Sequence, residues 1–484
     1  MKFKEYYTYL TEEKFDQWED LKDKYSDLKN AVEVMTKIHS HGFECLIVGG
    51  ATRDLLLGKD PHDIDLVSNA NTEQIEKIFG TSIDIGKNKL MGVTVVPYKG
   101  QNIEIATYRK DIYDKLGGGK GADKVEITSS FKDDAERRDY KLNALGIDKD
   151  GNVIDHVNGL SDIKNKIISF VGDPKTRIIE DPVRLMRGVR FSSKLGFRID
   201  DKTMEAIKQH APEIKKVAAE RISQELFKMA DAEGETFAKS IQLLINTGLM
   251  QYILPEIVGL ADKLHSLEDH PEGEGKLKGT VLGHVIEAIK TVKIKDPLVT
   301  LAVLLHDIGK LKTHSVGDDN KHHYYGHEAK AFEMIDEIAN RLKLDNDTRE
   351  ALQFAAANHM KMPQFLKLKD STALKMMNSP YFDLLLSVAE ADSRARGQLF
   401  DEEEWNKIIQ KIEKLKSKYS GSNSVENIRK IINGKFIIDL LKINPKTEGK
   451  KIGEIIKKTM DWILDKNINV NDIDKIKNFI LGMK

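Results

Sequence analysis

Apolar residues recur at helical spacing between residues 11 and about 39, with Phe15, Trp18, Leu21, Tyr25, Leu28, Val32 and Met35 forming a stripe among charged neighbours. That pattern predicts one covering helix. From about residue 42 to 155 the period shortens to that of strands, which are expected at 43–48, 64–67, 93–97, 103–107, 125–128, 144–147 and 153–155. Beyond Asp173 strand signals nearly vanish, and glycine, proline and asparagine punctuate a long helical tract. The expected class is α+β, with a mixed head followed by helical domains. No internal repeat is present.

At 484 residues the chain is too long for a single core. Lys and Arg number 76 against 77 Asp and Glu, so no global basic field announces nucleic acid, and any RNA site must be a local patch. One such patch lies between Arg429 and Lys458, where nine basic residues face Asp439, Glu448 and Glu454; a solvated helical face explains it equally well. Cys45 is the single cysteine, which rules out a disulfide within the chain and suits a reducing compartment. The first residues lack an apolar signal core, and no run reaches the ~18 apolar residues of a membrane span. A cytoplasmic protein without membrane contact is expected; the sequence gives no oligomeric state.

The densest chemistry begins at Leu46-Ile-Val-Gly-Gly-Ala-Thr-Arg-Asp-Leu-Leu-Leu-Gly58. A buried strand leads into Gly49 and Gly50, a turn whose backbone can approach an anion, and Arg53 opens a helix. Just beyond, Asp63 and Asp65 are two residues apart, which on a strand places both carboxylates on one face. Paired carboxylates of this kind bind Mg²⁺ that bridges nucleotide phosphates, so a triphosphate site is expected here.

Two further segments extend the site. Arg138 and Asp139 precede 140–147, read as another buried strand, and offer a guanidinium for phosphate and a carboxylate for a ribose hydroxyl. Then Glu180-Asp-Pro-Val-Arg-Leu-Met-Arg-Gly-Val-Arg-Phe191 puts Arg184, Arg187 and Arg190 along one side of a helix. Such a row repels itself unless anions answer it, so phosphates are its expected partners. Asp181 and Arg184 offer acceptors and donors suited to the Watson–Crick edge of a base. The run Lys115-Leu-Gly-Gly-Gly-Lys-Gly-Ala122 reads as a mobile segment beside the site or as a plain linker.

Taken in order, Val48-Gly-Gly-Ala-Thr-Arg-Asp, Asp63-Ile-Asp65, Arg137-Arg-Asp-Tyr-Lys-Leu-Asn-Ala144, Glu180-Asp-Pro-Val-Arg184 and Glu220-Arg-Ile-Ser-Gln-Glu225 resemble the motifs of the class II tRNA nucleotidyltransferase and bacterial poly(A) polymerase family. The resemblance covers about residues 40 to 260 and implies a five-stranded head of the polymerase-β type followed by neck, body and tail. It implies Gly50 and Arg53 at the triphosphate, Asp63 and Asp65 at Mg²⁺, Arg138 and Asp139 near the ribose, Asp181 and Arg184 selecting C or A, and Arg187 and Arg190 at phosphates. Glu104 falls where the superfamily has a third acid. Two departures stand out: the glycine cluster replaces a usual Arg-Pro loop, and Tyr140-Lys-Leu142 replaces Phe-Thr-Ile. The loop is associated with the switch from C to A, so full CCA addition, partial A or CC addition and poly(A) synthesis all stay open. The Arg-Arg-Phe segment of poly(A) polymerases is absent around residues 85–92, and the 434–457 segment looks like the tail of tRNA-adding members, which favours tRNA as partner with CTP and ATP.

A second cluster follows. His306-Asp307 sits in Leu301-Ala-Val-Leu-Leu-His-Asp-Ile-Gly-Lys310, read as an otherwise apolar helix, and a buried imidazole beside a carboxylate is most simply satisfied by a metal. His284 lies on the preceding helix, His327 opens 328–342, His359 ends a helix capped by Asp347 with Glu350, and Asp392 lies within 388–394. The order resembles the HD phosphohydrolase superfamily, which implies His284, His306, Asp307 and Asp392 as a metal quartet and His327 and His359 as ligands of a second metal. Mixed imidazole and carboxylate ligation suits Mn²⁺, Fe²⁺, Ni²⁺ or Zn²⁺. His314, His322 and His323 fit no ligand position and read as surface residues. The expected order is a covering helix to residue 40, a nucleotidyltransferase head over 41–172, neck and body over 173–265, an HD metal domain over 266–400 and a helical tail over 401–484.

Overall fold

The computed structural model describes residues 13–15, 17–61, 63–80, 92–113, 124–265, 273, 275–318, 321–419 and 425–483. The glycine cluster at 117–121 and most of the 85–92 segment lie outside them. The chain divides into two compact units, one holding residues 1–232 and 236–258, the other residues 233–235 and 259–484.

The first unit is built on one mixed sheet whose strands run, edge to edge, Glu13–Lys14, Asn152–Ile154, Gly146–Ile147, Cys45–Val48, Asp65–Ser68, Gln101–Thr107 and Val93–Tyr98. All neighbours are antiparallel except Asp65–Ser68 and Gln101–Thr107, which pair in parallel with Leu66 opposite Ile105. The sheet thus has seven strands where the resemblance implies five; of the short strands at one edge, Gly146–Ile147 and Asn152–Ile154 fall where strands are expected, and Glu13–Lys14 does not. Strand Cys45–Val48 is buried on both faces because its alternate residues serve different cores. Cys45 and Ile47 pack with Trp18, Leu28, Met35 and Leu55, whereas Leu46 and Val48 pack with Val67, Tyr108 and Phe131. The strand expected at 125–128 is Lys124–Ile127, and it pairs in a separate ribbon with Arg109–Ile112.

The single covering helix is in fact two, Trp18–Lys24 and Ser26–Ser40, broken at Tyr25, whose backbone is extended (φ −109°, ψ 111°). Trp18 is buried beneath the Gly151 turn, where an added Cβ would lie 2.4 Å from its ring. Residues 140–147 form a strand only at Gly146–Ile147; Lys141–Asn143 is a 3₁₀ turn. Among its described residues the second unit is helical apart from the short hairpin pairing Ser315–Val316 with His322–His323 and an isolated bridge between Leu264 and Thr280. One hydrophobic cluster there joins Phe365, Leu385 and Ala389 to Trp405, Ile412, Ile437, Ile463 and Ile476. No helix among the described residues is long and apolar enough to cross a membrane.

Candidate functional site

In the first unit a cleft of about 680 Å³ opens where the Gly49 turn meets helix Arg184–Leu195. Gly49 has φ +73°, a conformation that favours glycine, and the turn passes directly into helix Gly49–Leu56. An added Cβ at Gly49 would lie 3.8 Å from Arg138 Nη1 and one at Gly50 3.6 Å from Arg53 Nη2, so two guanidiniums stand over the bare backbone. Arg53 is held by Asp54 (2.8 Å) and by the Asn143 side-chain oxygen (2.9 Å). Arg138 donates to Asp134 Oδ2 from Nη2 (2.9 Å) and to the Asn143 carbonyl (3.3 Å).

Eight arginines and Lys228 line this cleft against five carboxylates, a local excess of positive charge in a chain of net charge −1. The row on the helix is nevertheless answered within the protein, which corrects the expectation that ligand phosphates alone must balance it. Arg184 Nη1 donates to Glu180 Oε2 (2.7 Å), Arg187 Nε to Asp139 Oδ2, and Arg190 Nε to Glu225 Oε2 (2.7 Å). Asp139 is therefore engaged by Arg187 and by the Tyr140 amide (2.8 Å) as well as facing the cleft. Burial raises its proton affinity, but Arg187, then Arg184 and the amide, more than offset this and keep it below the ordinary carboxylate range. Asp181 accepts 2.9 and 2.7 Å bonds from both terminal nitrogens of Arg221, and Arg184 Nη2 also reaches Tyr113 Oη (3.3 Å). Both groups line the cleft with these partners in place.

The carboxylate pair differs from its sequence reading. The strand begins at Asp65, so Asp63 lies outside it, in the left-handed region at φ +51°. An Asp can adopt that conformation at modest cost, and such backbone recurs at functional sites. Asp65 is instead beside Glu104, since Leu66 pairs with Ile105 in parallel register. Burial first, then the charges of Glu104 and Asp63, push the Asp65 carboxyl up, with Arg138 opposing. Oxygen donors of this kind suit a hard divalent cation, but the carboxylates of Asp63, Asp65 and Glu104 do not stand together at metal spacing. Asp65 lines the cleft; Asp63 and Glu104 are not among its lining residues.

Sequence reasoning did not single out Arg109, Arg221, Gln224 or Lys228, all of which line the cleft. Arg221, Gln224 and Lys228 occupy one stripe of helix Ala219–Ala230, and the Glu220–Glu225 motif carried that signal.

In the second unit the histidines and acids do converge. Helix Pro297–Leu305 is capped by Asp296 and ends at His306, so His306 and Asp307 lie in the turn beyond it rather than inside the helix. Gly309 lets that turn approach closely: an added Cβ would fall 2.0 Å from the His327 carbonyl. Helices Val281–Thr291, His327–Leu342, Asn346–Asn358 and Phe382–Ala395 bring in His284, His327, His359 and Asp392, His359 just past its helix end. The cap of Asn346–Asn358 is Asp345, bonded to the Thr348 amide, whereas Asp347 accepts from Tyr381 Oη.

His284 Nε2 is 2.8 Å from Asp392 Oδ1, His306 Nε2 3.3 Å from Asp307 Oδ2 and 3.6 Å from Asp392 Oδ1, and the Nε2 atoms of His327 and His359 are each 3.5 Å from Asp307 Oδ1. The Nδ1 atoms of His306, His327 and His359 contact the carbonyls of Val303, Tyr324 and Ala356 at 2.7–2.9 Å. Donation there assigns a proton to Nδ1, so each Nε2 that faces carboxylate oxygen needs a second proton or a metal ion between them. His306 Nε2 and Asp307 Oδ1 are buried without a hydrogen-bond partner. Burial opposes a charged His306, but Asp307 and Asp392 raise its pKa to about 10, the field a metal ion would also feel. Among the described residues two groups meet metal spacing, His284 with His306 and Asp392, and His306 with Asp307 and His359. His314, His322 and His323 are half-buried rather than surface residues, with His314 Nε2 and His322 Nδ1 2.7 Å apart and those two rings stacked at 5.0 Å.

Comparison with known proteins bears on both sites. Residues 45–169 match the poly A polymerase head domain, 196–260 the probable RNA and SrmB-binding site of polymerase A, and 281–395 the HD domain. The chain is 37% identical over 254 residues to the CCA-adding enzyme of Streptococcus mutans, covering 52% of this chain and 61% of that one. It is 36% identical over 242 residues to that of Lactobacillus helveticus, covering 50% and 58%. The match therefore spans under two thirds of these relatives' length. Among solved structures, the Bacillus stearothermophilus CCA-adding enzyme in complex with CTP aligns with a TM-score of 0.67 at 22% identity, over 94% of this chain and 97% of that one. The Thermotoga maritima CCA-adding enzyme complexed with tRNA aligns with a TM-score of 0.54 at 19% identity, over 95% of each. A nucleotidyltransferase head and an HD domain both imply dependence on divalent metal. In sequence and fold the chain is thus akin to the CCA-adding enzyme and poly A polymerase family, with an HD domain in the same polypeptide.

Proposed function

We propose that this protein is a template-independent RNA nucleotidyltransferase that adds or repairs the 3′-terminal CCA of tRNA from CTP and ATP, and that its HD domain is a metal-dependent phosphohydrolase. The observation that carries the first part is the cationic cleft with Asp65 at its edge, beside Glu104. A nucleoside triphosphate brings negative charge to a site holding eight arginines, and Gly49, Gly50, Arg53 and Arg138 lie where its phosphates can meet bare backbone and guanidinium. Asp139 would orient the ribose, Asp181 and Arg184 would read the base edge, and Arg187 and Arg190 would hold phosphate. The oxygen of the RNA's terminal hydroxyl attacks the α-phosphorus, the bond to the β-phosphate breaks, and pyrophosphate leaves. Asp63 and Asp65 would hold Mg²⁺, which would supply charge stabilisation to that step. Relatives named CCA-adding enzymes, rather than poly(A) polymerases, favour tRNA over poly(A) synthesis. A tRNA substrate and a lone buried cysteine favour the cytoplasm.

In the HD domain His284, His306, Asp307 and Asp392 would hold one ion, with His327 and His359 towards a second; the imidazole-rich donor set favours Mn²⁺, Fe²⁺, Ni²⁺ or Zn²⁺. Water oxygen adds to phosphorus, the ester P–O bond breaks, and the proton passes to the leaving oxygen.

The test is nucleotide incorporation by Asp63→Ala and Asp65→Ala in Mg²⁺. Loss of addition by at least about a thousandfold with an unchanged circular dichroism spectrum is expected, because each removes a metal ligand. Substantial addition by either variant would overturn the site assignment.

A further inference from the structure

The hairpin beside the histidine cluster carries aromatic side chains that the hydrolase reading leaves unused. Along His322-His-Tyr-Tyr-Gly326 the residues alternate. His322 stacks on His314, and Tyr324, 9% exposed, packs its ring 5.4 Å from His314 and 5.6 Å from His265, with Lys310 Nζ 5.7 Å from its centre. His265 in turn lies 5.9 Å from His284. Tyr325 turns outward, 79% exposed, and half-buried His323 stacks on it nearly parallel, centroids 5.2 Å apart at 11°.

A flat pair of rings with one open face is the arrangement on which nucleic-acid bases stack. Its position is also informative. Tyr325 precedes His327 by two residues, a backbone span of at most about 7 Å, and His327 Nε2 is 3.5 Å from Asp307 in the cluster. Lys263 lies close enough to His314 to help keep its pKa down, behind burial and His322, so positive charge flanks the same wall. We infer that Tyr325, backed by His323, is a base-stacking platform at the rim of the HD centre.

This rests on the hydrolase reading, and the experiment separates the two. Hydrolysis of adenosine 2′- and 3′-monophosphates and of glycerol 2-phosphate is measured with Mn²⁺ or Ni²⁺ for the parent, Tyr325→Ala, Tyr325→Phe and His323→Ala. Stacking on one ring predicts that Tyr325→Ala raises KM for the nucleotides about ten- to hundredfold with kcat within about twofold, and leaves glycerol 2-phosphate unchanged. Tyr325→Phe should behave as the parent and His323→Ala should show a smaller rise in KM. Equal losses on both substrate types, or no change on either, would overturn the platform. A second readout is independent of turnover: in protein stripped of metal, adenosine 3′-monophosphate should quench Tyr325→Trp emission by stacking, beyond any change shared with the native tryptophans, and inorganic phosphate should not. If the parent hydrolyses none of the three esters, the hydrolase reading fails and the quenching alone decides the platform.

Discussion

Single charges in the cleft are placed by their partners, and those partners set what a substitution does. Asp134 is fully buried and accepts from Arg137 Nε (2.9 Å) and from two nitrogens of Arg138, so it aims one guanidinium at the Gly49 turn. Burial raises its pKa, but Arg138 and Arg137 bring it below the ordinary value. A depressed folded pKa contributes stability that is complete above the unfolded value of about 3.9 and is lost as pH falls through the folded one. Asp134→Asn should therefore cost about 3 kcal/mol in urea denaturation at pH 7, and the gap to the parent should narrow below about pH 4. A gap that is constant down to pH 2 would show that the charge does not matter. Asp181 poses a different problem, because Arg221 holds both its oxygens. If Asp181 reads the base edge, Asp181→Ala should relax discrimination of CTP and ATP against UTP and GTP by about ten- to a hundredfold in competition assays, more than it lowers the rate of correct addition.

Elements meet at close approaches that small residues make possible. In helix Arg184–Leu195, Gly188 faces Tyr140, whose Oη donates to the Arg184 carbonyl (2.8 Å) while its ring stacks on Phe170 at 4.5 Å. An added Cβ at Gly188 would lie 2.2 Å from that Oη. Gly188→Ala should lower stability by about 1–2 kcal/mol despite the better helix propensity of alanine, because the ring must shift and lose its bond. Adding Tyr140→Phe should restore part of the loss in thermal denaturation; no recovery would mean that the clash lies elsewhere. At this scale the sequence was legible where periodicity was long. The helices bearing His284, His327, His359 and Asp392 were expected, strand 45–48 follows from a continuous apolar run, and strands 93–98 and 101–107 from the shorter period of their apolar residues. It was not legible at ends and short pairings: alternation cannot say that the strand starts at Asp65 and not at Asp63, and no propensity marks Glu13–Lys14 as an edge strand. The break at Tyr25 was missed because the apolar stripe continues through it.

Across the whole molecule the two constellations belong to different compact units, the arginine cleft to the first and the histidine cluster to the second. His306→Ala should accordingly abolish metal-dependent phosphatase activity and leave nucleotide addition within about twofold of the parent, since independent sites behave additively. A matching loss of addition would reveal coupling. Ordered motifs made both sites readable in outline, but not the internal pairing of Arg187 with Asp139 or Arg190 with Glu225, which depends on contacts 48 and 35 residues apart in the chain. The central claim is a protein-templated addition of C and A to tRNA, and addition to tRNA lacking its last three nucleotides tests it most directly. With one base-reading pocket at Asp181 and Arg184, order must come from how far the RNA end has advanced. CTP alone should stop after two additions, and CTP with ATP after three. A long A ladder from ATP alone would contradict that account and install poly(A) synthesis, and ATP addition confined to tRNA already ending in CC would replace full CCA addition with a partial one.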